Sequence, residues 1–309
     1  MSFKFNFQVD EDENDNGNNN EQNNEESKLD ISEFDSSSKM DELPSKYIDL
    51  RNNLSSLLSN VETEIVTFSS NNKLKKLVKP FKGNQDNNND NNVNSNDKND
   101  NNNNNNNNNK DYEKLLDKTD LIPGVYEGGF KLWECSIDII NYLFEEKIDL
   151  SGKKVLEIGC GHGLPGIYCL LNGSIVTFQD YNEEVIYNLT QPNVLINGGD
   201  INRAKYISGD WKFVDQLLKN EKFDIILTSD TLYNVGSFKK LYNLISNHLE
   251  SNGKCYLASK TYYFGVGGGI RKFEELLKIL NRLSIKTVRD IKDGLSNVRE
   301  VVEITNKIN

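Results

Sequence analysis

The sequence has few cysteines and histidines and no long apolar run. Its 309 residues include four cysteines and two histidines, and only 36% of the chain is hydrophobic. The cysteines form no CxxC pair, so we expect free thiols rather than a disulfide framework. The sequence contains no stretch of about 18 apolar residues, so no membrane span is predicted. The opening "MSFKFNFQVDEDEN" also lacks the apolar core of a signal peptide. We therefore expect a soluble intracellular protein in the cytoplasm, with the nucleus as the alternative location.

The chain also lacks an excess of basic residues. Its formal charge is −11, and residues 1–44 carry 13 acidic side chains against 3 lysines. The remainder is nearly neutral, with 34 acidic and 33 basic residues. Because non-specific binding to nucleic acid requires a basic surface, we expect no direct nucleic-acid binding.

Two segments are too polar to build a core. Residues 1–46 form an acidic tail, and residues 84–111 hold an Asn/Asp tract with nine consecutive asparagines. Neither segment has enough apolar surface to offset the entropy of ordering, so both are predicted to be disordered. Residues 47–83 are predicted to be partly helical, because four leucines have helical spacing: Leu50, Leu54, Leu57 and Leu58.

Residues 112–309 have the composition of a globular domain. Apolar runs predict seven strands, over residues 153–159, 174–180, 204–211, 223–230, 253–261, 285–291 and 299–305. Helical patterns fall between most of them, over residues 136–143, 164–172, 183–196, 235–249 and 270–282. This alternation predicts an α/β fold with a seven-stranded, mostly parallel, twisted sheet flanked by helices. The last two strands have no helix between them, so the last strand is predicted to be antiparallel.

The turn after the first of these strands is the predicted cofactor site. It reads "EIGCGHGLPG", with Gly159, Gly161 and Gly163 following the acidic Glu157. In open α/β sheets the ligand lies beyond the carboxyl ends of the strands. This spacing differs from the dinucleotide pattern GxGxxG, whose pyrophosphate lies at a helix N-terminus. It suits a sulfonium-bearing nucleoside, which has no phosphate.

Acidic residues end the next two strands. Asp180 follows the second strand and is predicted to accept the ribose hydroxyls, and Asp210 is predicted to bind the adenine amine beside Trp211. The pattern as a whole indicates a methyltransferase dependent on S-adenosyl-L-methionine. The residues assigned to the cofactor are Leu132, Trp133, Glu134, Cys135, Ser136, Glu157, Gly159, Gly161, Gln179, Asp180, Tyr181, Gly209, Asp210, Trp211 and Ser229.

The segment before the first strand is predicted to lie over the cofactor. It reads "EGGFKLWE" and precedes an amphipathic helix. Trp133 is expected to cover the cofactor, with a partner for its indole N–H, or alternatively to be part of the core. The two histidines, His162 and His248, have no metal-like partners in sequence, so both are interpreted as structural and no metal site is predicted.

Several motifs in order resemble the histidine protein methyltransferases. They are "VYEGGFKLWEC", "EIGCGHGLPG", "FQDYN", "GDW", "LTSDTLYN" and "KTYYFGVGGG", and the resemblance covers roughly residues 120–305. This family resembles the seven-strand protein lysine methyltransferases, with a Rossmann-like class I fold. The resemblance implies methylation of the tele nitrogen of one histidine in a large-subunit ribosomal protein. The family pattern has Glu where this chain has Asp230, so the carboxylate is one methylene shorter.

Catalytic roles are assigned by position at the end of the fourth strand. Asp230 is expected to accept a hydrogen bond from the second ring nitrogen of the substrate, or alternatively to cap the next helix. Asn234 or Tyr233 is the alternative hydrogen-bonding group. The other residues assigned to the substrate lie in the glycine-rich stretch "TYYFGVGGG": Tyr262, Tyr263, Phe264, Gly265 and Gly267. That stretch is interpreted as a substrate loop, or alternatively as a tight turn packed by aromatic rings.

Other functions remain open from the sequence. A lysine or small-molecule methyltransferase on the same fold would use the same cofactor turn. A binding factor that holds a ribosomal protein without catalysis would also retain it. The partner expected in each protein-directed case is a protein, and the chain itself is expected to be a monomer.

Overall fold

The computed structural model describes residues 31–35, 43–52, 54, 58, 61–80, 127–263, 265, 267–292, 294 and 297–307. The predicted Asn-rich insertion, residues 84–111, lies outside the described residues. So does Phe264 of the predicted substrate loop. None of the described helices is long and apolar enough to cross a membrane.

A single large sheet forms the centre of the described fold. Its strands are β1 (Lys46–Tyr47), β4 (Lys154–Ile158), β5 (Ile175–Asp180), β6 (Ala204–Ser208), β7 (Phe223–Ser229), β8 (Leu249–Lys260), β9 (Leu283–Ile291) and β10 (Arg299–Asn306), in the spatial order β1-β6-β5-β4-β7-β8-β10-β9. The five central strands, which are β6, β5, β4, β7 and β8 in spatial order, are parallel. Strand β10 pairs antiparallel with both β8 and β9. The seven predicted strands and the antiparallel last strand are confirmed, and the short β1 is an eighth.

Helices cover both faces of this sheet. They are α1 (Glu134–Glu145), α2 (Leu164–Leu171), α3 (Glu183–Val185), α4 (Gln191–Ile196), α5 (Trp211–Leu218), α6 (Phe238–His248) and α7 (Ile270–Leu280). The strand order reverses between β4 and its neighbours β5 and β7, so the carboxyl end of β4 opens onto the crevice where ligands bind in such folds.

One helix was not predicted. The third strand was expected to reach residue 211, but β6 ends at Ser208 and Trp211 begins α5. The reason is local, because the Asp210 carboxylate accepts a hydrogen bond from the backbone N–H of Lys212 at 2.8 Å. An aspartate that caps in this way starts a helix. The helix predicted over residues 183–196 is present, but a π-helical turn at Ile186–Thr190 separates α3 from α4.

The segment predicted to be partly helical also contains a β-hairpin. Leu54 and Leu58, two of the leucines with helical spacing, have helical conformation, whereas strands β2 (Thr63–Phe68) and β3 (Asn72–Leu77) pair antiparallel farther along the chain. Phe68 packs against the rings of Phe144 and Tyr168, with centroids 6.2 and 5.7 Å away. Burial of this phenylalanine against α1 and α2 stabilises the hairpin.

The acidic N-terminal segment also contributes to the fold. Ile31–Asp35 forms a 3-10 turn in which Phe34 is fully buried and stacks on Phe238, with ring centroids 6.4 Å apart. Farther on, the Leu43 carbonyl accepts a hydrogen bond from the Asp210 N–H at 3.0 Å. Composition assigned both stretches to a disordered tail, because the average composition of a segment does not show that a single residue such as Phe34 is buried.

Candidate active site

The glycine turn after β4 has the conformation that its residues require. Gly159, Gly161 and Gly163 have φ values of 63°, 49° and 70°, in the region that side chains other than glycine rarely adopt. Space is also restricted, because a Cβ on Gly161 would lie 3.1 Å from the carbonyl oxygen of Gly129. The predicted lid segment therefore lies directly across the predicted cofactor turn.

Glu157 stabilises the turn from below. Its side chain is 2% exposed, and its carboxyl accepts a hydrogen bond from the N–H of Gly166 at 2.9 Å, in the first turn of α2. Burial raises the pKa of Glu157 to about 8, and the Gly166 hydrogen bond opposes this shift. The structure places this predicted cofactor residue in the core, where it fixes the start of α2.

Asp180 lies at the carboxyl end of β5, as predicted. One carboxylate oxygen accepts from the N–H of Gly161 at 2.9 Å and the other from the N–H of Asn182 at 3.2 Å. Burial raises the pKa of Asp180 to about 6, while these backbone hydrogen bonds lower it. A Cβ on Gly129 would lie 3.3 Å from the same carboxylate. Asp180 and the glycine turn therefore form one unit.

Gln179 connects the turn to the neighbouring strand end. Its side-chain oxygen accepts from the N–H of Gly159 at 3.2 Å and from the Trp211 indole at 3.1 Å. Its amide donates to the Gly209 carbonyl at 3.0 Å. Three predicted cofactor residues are thus brought together by a fully buried glutamine.

Asp210, which was predicted to bind the adenine amine, is held by two contacts within the protein. Besides capping α5, its carboxylate pairs with the Lys240 ammonium at 2.8 Å. Gly209 beside it has φ of 119°, and a Cβ there would lie 2.6 Å from the Cα of Ser45. The N-terminal segment, which carries no predicted site residue, therefore closes this end of the site.

The lid segment is held by its own hydrogen bonds. The Trp133 indole donates to the Gly128 carbonyl at 3.0 Å, and the Lys131 ammonium lies 4.7 Å from the centre of the Trp133 ring. Trp133 therefore has the indole partner that the prediction required. It precedes α1, where the Ser136 hydroxyl donates to its carbonyl at 2.7 Å.

Glu127 is a site residue that the sequence analysis missed. Its carboxylate accepts a hydrogen bond from the Tyr233 hydroxyl, and its N–H donates to the Asn182 side chain at 3.2 Å. Glu127 thereby links the lid to the residues after β5 and after β7. The signal available in the sequence was an acidic residue beside a glycine pair, in the motif "YEGG".

Asp230 lies just beyond β7 with φ of 54° and is 9% exposed. One carboxylate oxygen accepts from the Cys135 N–H at 3.0 Å, and the other accepts from the Tyr263 hydroxyl at 2.7 Å. The carboxylate thus lies at the N-terminus of α1, where an anion is favoured. It does not cap the helix that follows it in sequence, which was the alternative interpretation.

Tyr263, which was predicted to contact the substrate, is buried and bonded within the protein. Its side chain is 3% exposed, and its hydroxyl bonds both Asp230 and Ser259. Burial raises the pKa of Tyr263 well above its usual value, so the hydroxyl remains a proton donor. Tyr262, by contrast, is 53% exposed at the mouth of the loop.

The remaining substrate-side residues divide into anchored and open positions. The Asn234 side chain accepts from the Gly236 N–H at 3.0 Å and caps a 3-10 turn, and Asn234 forms a β-bridge with Gly267. Gly265 and Gly267 have φ of 89° and 71°, with open space where a Cβ would be. The loop therefore meets the end of β7 through Asn234 and leaves its centre accessible.

The other predicted residues take simpler places. Leu132 packs partly buried against the core, Tyr181 is half-buried after β5, and Ser229 is half-buried as the last residue of β7. His162 is buried, and its ring bonds the Phe130 carbonyl at 3.2 Å. Burial lowers the pKa of His162 to about 3. The His248 ring bonds Asp215 at 2.9 Å and the Glu221 carbonyl at 2.8 Å.

Part of the chain is similar to known methyltransferases. Residues 122–264 match a family model described as lysine methyltransferase, which spans less than half of the chain. The chain is 39% identical to the histidine protein methyltransferase 1 homolog of Bos taurus over 61% of this chain and 58% of the relative. It is 32% identical to histidine protein methyltransferase 1 of Schizosaccharomyces pombe, over 55% of this chain and 62% of the relative.

A lysine-directed relative matches a shorter region. EEF1A lysine methyltransferase 3 of Mus musculus is 31% identical over 42% of this chain and 55% of the relative. The chain thus spans less than two thirds of the length of these curated relatives. The predicted resemblance to histidine protein methyltransferases is confirmed.

Proposed function

We propose that the methyltransferase domain transfers a methyl group from S-adenosyl-L-methionine to the tele nitrogen of a histidine in a protein substrate. A large-subunit ribosomal protein is the proposed substrate. The observation that carries the proposal is the 39% identity over 218 residues to a relative named for histidine methylation. The family-model match over residues 122–264 spans the cofactor turn and the cluster around Asp230.

The residues at the carboxyl ends of the parallel strands fit this cofactor. The glycine turn exposes backbone without side chains, and Asp180 provides a buried carboxylate fixed against it. Gln179 and Trp211 define the neighbouring wall. When bound, the cofactor supplies an electrophilic methyl group on a sulfonium, and Asp180 would hold its ribose hydroxyls. Trp211 would flank the adenine.

The acceptor chemistry requires little base strength. An exposed imidazole has a pKa of about 6.5, so the attacking nitrogen is mostly neutral near pH 7. Most of the rate enhancement then comes from holding the nucleophile in line at about 3–3.5 Å. The second ring nitrogen carries a proton, and the ring gains positive charge as the methyl group is transferred. A fixed carboxylate that accepts this proton's hydrogen bond orients the ring and stabilises the cation.

Asp230 is the proposed carboxylate. Its two oxygens already accept from Cys135 and Tyr263, yet each carboxylate oxygen has a further lone-pair direction. The two existing bonds fix the orientation of the group without exhausting it. Such preorganisation reduces the reorganisation needed during transfer.

The proposal is tested with extract from cells that lack this protein. Purified protein is incubated with extract and cofactor carrying a labelled methyl group, and the labelled residue is located by mass spectrometry. The two methylhistidine isomers have the same mass, so they are separated by chromatography after hydrolysis. We expect label on the tele nitrogen of one histidine in a large-subunit ribosomal protein. Label on the other ring nitrogen, or on a different residue type, would refute the proposal.

Lysine methylation is the second candidate function. It is favoured by the description of the matching family model and by the mouse relative whose name describes a lysine methyltransferase. The same mapping experiment separates the two, because methyllysine and methylhistidine differ in mass and in position. Asp230→Ala is the matched variant, and full turnover with unchanged product would exclude its proposed role.

A further inference from the structure

A buried lysine lies against the tyrosine that bonds the proposed acceptor carboxylate. Lys260 is the last residue of β8 and is 5% exposed. Its ammonium lies 5.5 Å from the centre of the Tyr263 ring, and Tyr263 in turn bonds Asp230. Fully buried lysines are rare unless they are paired, so this position calls for a physical account.

The charges around Lys260 form a compact network. Lys260 interacts electrostatically with Asp230 and Glu134. Arg299 completes the network, pairing with Asp138 at 2.7 Å and with Glu134 at 3.3 Å. Burial lowers the pKa of the Lys260 ammonium, and the Asp230 and Glu134 carboxylates act in the opposite direction. The carboxylates thereby favour the charged lysine.

This arrangement affects different acceptors unequally. A histidine enters as a neutral ring, whereas a lysine enters as an ammonium that must be held and deprotonated before it can attack. An unpaired carboxylate at the acceptor position would attract that ammonium. A carboxylate already balanced by an internal ammonium attracts it less, and the two like charges repel each other.

We propose that Lys260 is a specificity-determining residue that acts through Asp230 and excludes a cationic lysine acceptor. The inference rests on the proposed histidine methylation and adds the reason for the choice of histidine. Lys260 neutralises Asp230 from inside the protein. The site then retains a carboxylate that can orient an imidazole but that does not bind a second ammonium.

The test compares products rather than total activity. Wild-type, Lys260→Met and Lys260→Arg proteins are incubated with labelled cofactor and the extract described above. The labelled proteins are hydrolysed, and methylhistidine and methyllysine are separated and counted. Methionine keeps the length of the side chain without its charge, whereas arginine keeps the charge. We expect Lys260→Met to raise the ratio of methyllysine to methylhistidine by about tenfold or more, since a unit charge nearby contributes at this scale. Lys260→Arg should retain the wild-type ratio.

Controls distinguish this inference from the proposed function. Lys254→Met removes an exposed lysine on the same strand, which pairs with Glu303 at 2.8 Å, and should leave the ratio unchanged. Lys260→Gln provides a second neutral variant in case the methionine does not fold. An unchanged ratio in a folded, active neutral variant overturns the role of Lys260. So does loss of transfer to both amino acids in folded neutral variants, because that would mark Lys260 as structural. Wild-type label on lysine alone would instead refute the proposed function.

Discussion

Two glycine-rich segments lie at the same edge of the sheet, and their glycines have different physical roles. In the cofactor turn, residues 159–163, a Cβ on any of the three glycines would lie within 3.1 Å of a neighbouring atom. In the glycine loop, residues 261–269, Gly265 and Gly267 have open space, whereas Gly268 and Gly269 are enclosed by backbone. All three glycines of the turn are tightly packed, whereas among the described glycines of the loop tight packing is confined to Gly268 and Gly269. Glycine content alone therefore does not distinguish a binding cradle from an adaptable loop.

The cofactor turn and the glycine loop are also held in place by different contacts. Buried side chains fix the turn, namely Gln179 and Asp180, which accept from its N–H groups. The loop is held at its ends by Glu300, a buried carboxylate that accepts from Thr261 at 2.7 Å and pairs with Arg271 at 2.6 Å. Both ends of the loop are therefore held by one side chain of β10.

The largest expected effect separates the base of the loop from its centre. In Gly268→Ala, the new Cβ would overlap the carbonyl oxygen of Leu232, and backbone on both sides would have to move. We expect a loss of about 3 kcal/mol of unfolding free energy, measured by urea denaturation. Gly267→Ala is the matched control, and its cost should be only about 1–2 kcal/mol from its positive φ. Equal losses would show that the base is not packed as described.

The next effect compares the turn with the loop. Gly161→Ala should weaken binding of S-adenosylhomocysteine by about tenfold, because alanine is strained at φ of 49°. Gly265→Ala has a comparable φ of 89° but should change that affinity by less than about twofold while reducing methyl transfer. Calorimetric titration measures the first quantity, and labelled methyl transfer measures the second. Parallel loss of both in Gly265→Ala would remove the distinction between turn and loop.

A smaller effect tests the link from the loop to Asp230. Tyr263→Phe removes the hydroxyl that Asp230 accepts from, with a cost of about 1–2 kcal/mol. We expect kcat to fall by about tenfold with the KM for the cofactor unchanged, because Asp230 loses its orientation and the turn is untouched. Steady-state kinetics gives both values. Tyr262→Phe is the control at a half-exposed tyrosine and should leave thermal stability unchanged. If Tyr263→Phe raised the KM for the cofactor by as much as it lowered kcat, the assignment would be contradicted.

The last comparison is a pH dependence that belongs to the turn. Burial raises the pKa of Glu157 to about 8, so the fold favours its protonated form and this stabilisation is lost as pH rises towards 8. Asp180, whose pKa is about 6, and His162, whose pKa is about 3, change protonation mainly below pH 6.5. Between pH 6.5 and 8 we expect Glu157 to lower the unfolding free energy by at most about 1.4 kcal/mol per pH unit. Glu157→Gln should flatten this part of the curve, and chemical denaturation at a series of pH values would detect it. A slope that is the same in both proteins would exclude the contribution of Glu157.

Much of the fold could be predicted because its signals are local. The apolar run that forms β4 is buried on both faces of the sheet, with Val155, Leu156 and Ile158 fully covered. The glycine spacing after β4 and the acidic residue at the end of β5 were sufficient to predict the turn and the position of Asp180 beside it. The hairpin β2–β3 could not be predicted, because its formation depends on Phe68 packing against α1 and α2.

The sequence by itself determined the alternation of strands and helices, the position of the glycine turn and the acidic residues beside it. These follow from period, turn chemistry and spacing, which are properties of neighbours along the chain. Only the tertiary structure decided that Glu157 is a core residue, that Tyr263 is buried with its hydroxyl bonded to Asp230, and that Lys260 is buried beside the Tyr263 ring. Each of these depends on contacts between residues far apart in sequence. The burial and charge of a side chain are set by neighbours that the order of residues does not reveal.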